Sequence, residues 1–388
     1  MTRHYLDHAS TSPLRPEAVA AMTKLMAQPL GDPGRIHTEG MGARVLLEQA
    51  RESVAELLGA RSREVVFTSG ATEAIAAGVW GAVQRGIDDD RRHVVLSAVE
   101  HSAVRLSIEA LEAAGEIEVS VLSVDATGRI DADEMAATVR HDTSLVAVQS
   151  ANHEVGTVQP LDAVREACER VGALQLVDAS QSVGREVTAF VADGYDLLAM
   201  GAHKFGGPTG VGALCIRRGL RLEPLLRGAD QERARRGGLE NVVAAVGLAA
   251  VADHLRAGPD DVHQRRLMES AEQRRLTDRL LAGLAGVDGV HPVGHPSVRA
   301  PHIVCVTIDG IEPQGVLLGL DQRGIAAHAG SACASADLEP SPVLQAMGVD
   351  AHRSLRLSVG WSSTDADVDA VLVGLPEVVA ALRALGST

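Results

Sequence analysis

The sequence predicts an α/β protein: a large domain with a mostly parallel seven-stranded sheet covered by helices, plus a smaller α+β domain. Three observations carry this. From about Pro16 to Gly212, helix-like stretches alternate with short runs rich in Val, Ile and Leu. Runs this short, bounded by Gly, Asp or Ser and separated by helices, mark parallel strands buried on both faces. The chain has 388 residues, a length that favours two domains over one. A long helical region from about Glu240 to Gly286, broken at AGPDD, then ends the alternation, and a smaller mixed set of elements follows.

In chain order the helical stretches are PEAVAAMTKLMA, EGMGARVLLEQARESVAELLG, the run after SGATEA, SAVRLSIEALEAAG and PLDAVREACERVG. The strand-like runs are EVVFT, HVVLSA, EVSVLSV, SLVAVQSA, ALQLVDA, YDLLAMGA and VGALCIR. After the long helical region come HIVCVTIDG, PQGVLLGLDQRG, a Gly/Ser/Ala loop around Cys333, then SPVLQAMG, SLRLSVG and a terminal amphipathic helix. With the boundary near Gly258, residues 16–258 form the large domain. Residues 1–15 and 259–388 form the small one, the first fifteen residues docking on it.

Hydrophobic residues are 46% and charged residues 22% of the chain, a globular composition with enough length for a large core. Two Trp, two Tyr and three Phe leave the core aliphatic and provide almost no stacking platform for single-stranded nucleic acid. The formal charge of −15 argues against attraction to phosphate backbones, so no direct nucleic-acid partner is expected. No run approaches about 18 apolar residues, so no membrane span is expected. The opening MTRHYLDHASTSP lacks the apolar run of a secretion signal. Cys168, Cys215, Cys305 and Cys333 are widely spaced with no CxxC pair, which speaks against a metal knuckle and a disulfide framework. Scattered thiols fit a reducing cytoplasm. Cys168, Cys215 and Cys305 lie in helix- or strand-like runs and read as buried hydrophobes.

The polar motifs fall at strand ends, where α/β sheets bind ligands. In YDLLAMGAHKFGGPTGVG an apolar strand delivers His203 and Lys204 into a glycine-rich turn. A lysine there is partly desolvated, which lowers its pKa and makes it a Schiff-base nucleophile; a solvated turn lysine is the alternative. In LQLVDASQSVG a strand ends at Asp178, with Gln181 three residues on. A carboxylate so placed can pair with a protonated pyridine nitrogen or simply cap a helix. In FTSGATE the N–H groups of Gly70, Ala71 and Thr72, with the Thr72 hydroxyl, can cradle a phosphate on a helix dipole. His101, in VEHS, could stack on a flat ring and shuttle protons or be a cap neighbour. Cys333, among small residues in HAGSACASAD, is sterically open, the setting of a reactive thiol.

With these motifs in view, the sequence resembles the cysteine desulfurases of the class V, fold-type I pyridoxal-phosphate enzymes. The resemblance runs from YLDHASTSP to SLRLSVG through FTSGATE, EHSAV, NHEVG, DASQSVG, HKFGGPTGVGAL, QERARRGG and GSACASADLEPSPVLQAMG. The last segment is the most specific and resembles the long catalytic-cysteine loop of the group that supplies sulfur to iron–sulfur assembly and thiolation pathways. The resemblance implies pyridoxal 5'-phosphate as cofactor, held covalently by the Lys204 amine. Asp178, Asn152 and His153 would meet the ring, Gln181 its oxygen and His101 its face. Gly70, Ala71, Thr72 and His203 would bind the phosphate, with Gly201 beside them. Arg356 would grip the substrate carboxylate, with Asp32 nearby. Cys333 would take sulfur from L-cysteine as a persulfide, leave L-alanine, and pass the sulfur to an acceptor protein. A homodimer is implied, with QERARRGG approaching the neighbouring phosphate.

Several positions depart from the family pattern. His153 stands where a second asparagine is usual, Gly201 where many members have a phosphate-binding serine, and Leu239 where a threonine from the partner subunit reaches the phosphate. Asp32, Gly34 and Arg35 replace an asparagine and two small polar residues near the substrate. Each missing hydrogen bond to a charged phosphate removes roughly 1.5–3 kcal/mol, so weaker cofactor retention than is typical is expected. Two other readings remain: a related class V aminotransferase or lyase that does not use the thiol, and a non-catalytic sulfur-relay or scaffold protein.

Overall fold

The computed structural model describes residues 2–258, 263–329 and 340–386. In chain order the first half runs β1 (His4–Tyr5), α1 (Pro16–Met26), α2 (Thr38–Leu58), β2 (Val65–Thr68), α3 (Ala71–Asp88), β3 (His93–Ser97), α4 (Ser102–Ala113), β4 (Glu118–Leu122), α5 (Ala132–Thr138), β5 (Thr143–Gln149), α6 (Leu161–Val171), β6 (Leu174–Asp178), β7 (Leu197–Gly201) and β8 (Gly212–Ile216). The remainder is α7 (Val242–Arg256), α8 (Gln264–Leu284), β9 (Val290–Val293), β10 (Ile303–Ile308), α9 (Pro313–Gln322), β11 (Ile325–Ala326), α10 (Pro342–Ala346), β12 (Ser354–Ser358) and α11 (Asp365–Gly386).

The seven-stranded sheet has the order β2-β8-β7-β6-β5-β3-β4. Only β8 runs against the others, antiparallel to both β7 and β2. Alternate residues of each strand face opposite layers. Leu198 and Met200 enter the core built with α1, α2 and α7, whereas Leu197 and Ala199 enter the core under α3 and α4. The α5 and α6 helices cover Val95, Val146 and Val148. Both faces are therefore dry, which is why the strands read as continuous aliphatic runs. The pattern did not single out α5: it has seven residues, of which only Met135 is buried, too few turns for a helical period to register.

A second core lies around the antiparallel sheet β12-β10-β9, with Leu276, Leu280 and Leu284 of α8, Val316 and Leu320 of α9, and Val368, Val371 and Leu375 of α11. The N-terminal β1 pairs in parallel with β11, and Asp7 bridges to Ser358 at the end of β12. This pairing ties the first residues to the second core while the following residues cross to the carboxyl edge of the large sheet. No helix of the described residues is long and apolar enough to cross a membrane.

Candidate active site

Parallel strands place their carboxyl ends on one edge, and the sequence motifs follow them there. β7 ends at Gly201 and passes into a tight turn, Ala202–Phe205. The turn is closed by Gly206 at φ 92, a left-handed conformation that glycine adopts without strain. It presents Lys204, whose amine is largely buried and donates to the carbonyls of Ala9 (2.8 Å) and Ser10 (3.0 Å). Burial above all, and then the Arg356 guanidinium, push the Lys204 amine down to about 8, with Asp178 pulling the other way. An amine so placed is available as a free base near neutral pH.

One strand over, β6 ends at Asp178, which is 7% exposed. Its Oδ1 accepts from the Ser180 backbone N–H (3.0 Å) and hydroxyl (2.6 Å), and Oδ2 takes no hydrogen bond among the described residues. Opposite, β2 leads through Ser69 and Gly70 into α3, whose N-terminus has no side-chain cap. The turn closes against β8, where a Cβ on Gly212 would stand 2.6 Å from the Gly70 carbonyl carbon, so the close approach depends on glycine at position 212. Glu73 is also on the cavity wall, but its carboxylate is engaged, accepting from Ser69 N (2.8 Å) and paired with Arg236 (2.8 Å). No side chain caps the α3 N-terminus, which leaves first-turn N–H groups for a phosphate.

His101 caps α4, its Nδ1 accepting from Ala103 N (3.0 Å). Burial first, then His153, push it down to about 4. The neutral ring therefore carries its proton on Nε2. The His153 ring stands edge-on to it, 5.0 Å between centroids, with its Nδ1 buried and without a partner among the described residues. His203 is pushed down to about 4, by burial first and then by Lys204, and its Nδ1 lies 3.2 Å from the Thr11 hydroxyl. From β12, Arg356 reaches in, 2% exposed, to Asp7 Oδ1 (2.9 Å), Ser10 Oγ (2.6 Å) and the His153 carbonyl (2.7 Å).

These groups line one cavity of about 480 Å3, with Gly70, Ala71, Thr72, His101, His153, Asp178, Gln181, His203, Lys204 and Arg356 on its wall. Gly201 lies just behind, where a Cβ would stand 3.3 Å from Ala71 Cβ and 3.4 Å from Ala71 N. Two expected residues are not brought to the wall. The Asn152 carboxamide closes its own turn, accepting from Glu154 N and Val155 N (both 2.9 Å) and donating to Val99 O (3.2 Å). Asp32 holds Gly34 N (2.8 Å) and pairs with the exposed Arg35 (3.2 Å), apart from the cavity of its own chain. Cys333 lies outside the described residues.

Some contributors carry no motif. Ala9, Ser10 and Asp7 reach the site because β1 anchors the strap they sit on. Arg185 is 2% exposed and donates to the Lys204 carbonyl (2.6 Å). Glu100 is buried beneath Asp178, its Oε1 accepting from Ser97 Oγ and Gln149 N (3.0 Å), and burial pushes it up to about 8. Its place beside His101 in the sequence was the one available signal. No cluster of potential metal ligands exists among the described residues.

A buried reactive amine, a carboxylate on the adjacent strand and an uncapped helix N-terminus around one cavity define a site for an aldehyde-bearing, phosphorylated pyridine cofactor. Comparison with known proteins agrees. The aminotransferase class-V family model matches residues 4–371. Cysteine desulfurase IscS of Methanosarcina thermophila is 39% identical over 382 residues, 98% of this chain and 92% of that protein. A cysteine desulfurase of Cereibacter sphaeroides is 38% identical over 390 residues, 99% and 98% of the two chains. Among solved structures, a NifS-like protein matches with TM-score 0.89 and 29% identity over 98% of this chain and all of that one. A structure described as SspA in complex with cysteine matches with TM-score 0.79 and 27% identity, over 93% of this chain and 100% of that one. The chain belongs to the class-V aminotransferases and, within them, to the cysteine desulfurases. The family depends on pyridoxal phosphate, and the cavity fits it: the Lys204 amine, Asp178 and the bare α3 N-terminus supply the complementary groups.

Proposed function

We propose that this protein uses pyridoxal phosphate to take sulfur from L-cysteine, release L-alanine and pass the sulfur through Cys333 to an acceptor protein. The observation that carries it is the Lys204 amine, buried and held down to about 8, in a cavity that also holds Arg356 and Asp178. Bound there, the cofactor supplies an aldehyde that captures amines and a ring that takes up electron density. Lys204 would tether it, and the free Lys204 amine would accept the proton from the substrate α-carbon. Asp178 would keep the ring nitrogen protonated, Gln181 would meet the ring oxygen, and neutral His101 would offer its Nε2–H. Gly70, Ala71 and Thr72 hold the phosphate with His203 beside them. His153 fills the place beside His101, and Asn152 supports it by fixing the turn. Arg356 exchanges Asp7 for the substrate carboxylate, a paired-donor task suited to guanidinium. The cysteine in the SspA structure supports the substrate.

Residues 16–258 would form the cofactor domain, and 1–15 with 259–388 the domain that brings Arg356 and Cys333. A homodimer is part of the proposal. Leu239 is 63% and Ile36 93% exposed, and Leu239 borders a second cavity that shares Ser69 and Gly210 with the first. Asp32 would then act at the site of the partner. Cys168, Cys215 and Cys305 are free and buried, which supports a reducing cytoplasmic setting.

The test is to incubate the purified protein with L-cysteine and measure alanine and sulfide. Wild type should yield alanine in proportion to sulfur released. Cys333→Ala should lose sulfur transfer by two orders of magnitude or more, about the size expected for removal of a nucleophile, while retaining the cofactor absorbance. Turnover of the amino acid that survives in Cys333→Ala without sulfur transfer would favour the aminotransferase or lyase reading.

A further inference from the structure

Gln181 projects its carboxamide into the cavity wall, 3% exposed. Its Nε2 donates to the Ala9 carbonyl at 3.0 Å, and the same oxygen receives the Lys204 amine at 2.8 Å. Its Oε1 lies 3.0 Å from Nε2 of His302. A carbonyl can only accept, so the carboxamide must offer its NH2 to Ala9 and its oxygen to His302. His302 must therefore carry its proton on Nε2.

His302 is fully buried and comes from the other core, just before β10. Its own backbone is held: Val359 N donates to its carbonyl (3.0 Å), and the Thr277 hydroxyl donates to the preceding Pro301 carbonyl (2.9 Å). Its Nδ1 is buried without a partner among the described residues. Burial first, and then the cations Arg185, Arg356 and Lys204 together with His8, disfavour a second proton on the ring. The imidazole is thus a neutral group with one donor, and that donor is spent on Gln181.

We propose that His302 is a positioning residue that locks the Gln181 carboxamide with its NH2 turned to the Ala9 oxygen that Lys204 also holds. The consequence rests on the function proposed above. With the amide locked, Gln181 meets the cofactor's ring oxygen as a hydrogen-bond donor; flipped, it would set one acceptor against another. The small domain would in this way tune the cofactor's electronics from outside the cavity.

Two measurements on the holoprotein test this. In wild type with 15N-labelled histidine, the His302 ring, assigned with His302→Gln, should be neutral with its proton on Nε2; a proton on Nδ1 overturns the proposal. The pH titration of the bound cofactor's absorbance should shift its midpoint in His302→Leu by about one pH unit, the size of one lost hydrogen bond. It should return toward wild type in His302→Gln, which keeps an N–H donor. The shift should vanish when His302→Leu is placed on Gln181→Leu, because the two changes remove one interaction. An unchanged midpoint in folded His302→Leu, or full additivity with Gln181→Leu, refutes it. If wild type bound no pyridoxal phosphate at all, the functional reading would fail, while the tautomer measurement would still decide the role of His302.

Discussion

The low pKa of the Lys204 amine makes a quantitative prediction about cofactor capture. An ordinary lysine amine titrates at 10.5, whereas burial and the nearby Arg356 bring this one down to about 8. At pH 7 the free-base fraction rises from about one in three thousand to about one in ten, a gain of roughly 300-fold. The apoprotein should therefore capture pyridoxal phosphate at a rate that climbs with pH to a midpoint near 8. The assay is stopped-flow absorbance, each rate divided by that of a free lysine derivative at the same pH to remove the titration of the reagent. Arg356→Gln should raise the midpoint and Asp178→Asn should lower it, following the signs of their charges. Stability has a matching sign. Between about 8 and 10.5 the unfolded chain holds a proton that the folded one has lost, so stability rises with pH across that window. Below it, burying the protonated amine holds stability down by roughly 3 kcal/mol. A capture midpoint at 10 or above would refute this account of the site.

Three further outcomes are expected. Arg356→Lys replaces a rigid fork with a point charge and should raise KM for L-cysteine about 100-fold, a loss of order 3 kcal/mol, with a smaller change in kcat; steady-state kinetics checks the split. Gly201→Ser points a hydroxyl at the α3 N-terminus, where the Cβ has 3.3 Å to Ala71 Cβ, and should slow cofactor loss on dialysis about tenfold through one charge-assisted hydrogen bond. Ala234 sits at φ 60, between Arg233 at φ 59 and the turn that carries Arg236. Because Cβ disfavours that region, Ala234→Gly should raise the denaturant midpoint, by roughly 0.5–1 kcal/mol after the entropy given to the unfolded chain.

Much of the site was legible because parallel strands convert local sequence into shared location. Lys204, Asp178, His101 and the Gly70–Thr72 turn each follow an apolar run, and these runs end on the carboxyl edge and deliver their next residues to the same cavity. What stayed hidden acts through backbone or over distance. The Ala9 and Ser10 carbonyls that hold Lys204 are backbone atoms, which any residue supplies. Asp7 and Arg356 pair across 349 positions of chain, a contact with no local period. His302 and Arg185 sit in unremarkable surroundings until the fold brings them against Gln181 and Lys204. Asn152 shows the converse: its motif suggested a ring contact, but its carboxamide is consumed by the turn it closes.

The charge balance explains why such a site accepts two anions. Lys204, Arg356 and Arg185 are all buried. Among the described residues, Arg185 has no carboxylate as a hydrogen-bond partner, only the Lys204 carbonyl, and its Nη1 has none. Asp178 is held by Ser180, and among the described residues Asp7 is the one carboxylate bonded to Arg356. Cations out of water are costly when uncompensated, so the cavity is left with a positive field that the folded chain does not neutralise. A phosphate on the α3 N-terminus and a carboxylate on Arg356 would supply the missing charge at opposite ends of the wall. Burial first, and then the same field through Arg356, bring the Lys204 amine down to about 8. Anion binding and amine reactivity then share the contribution of Arg356, and a substitution that removes that buried positive charge should weaken both together.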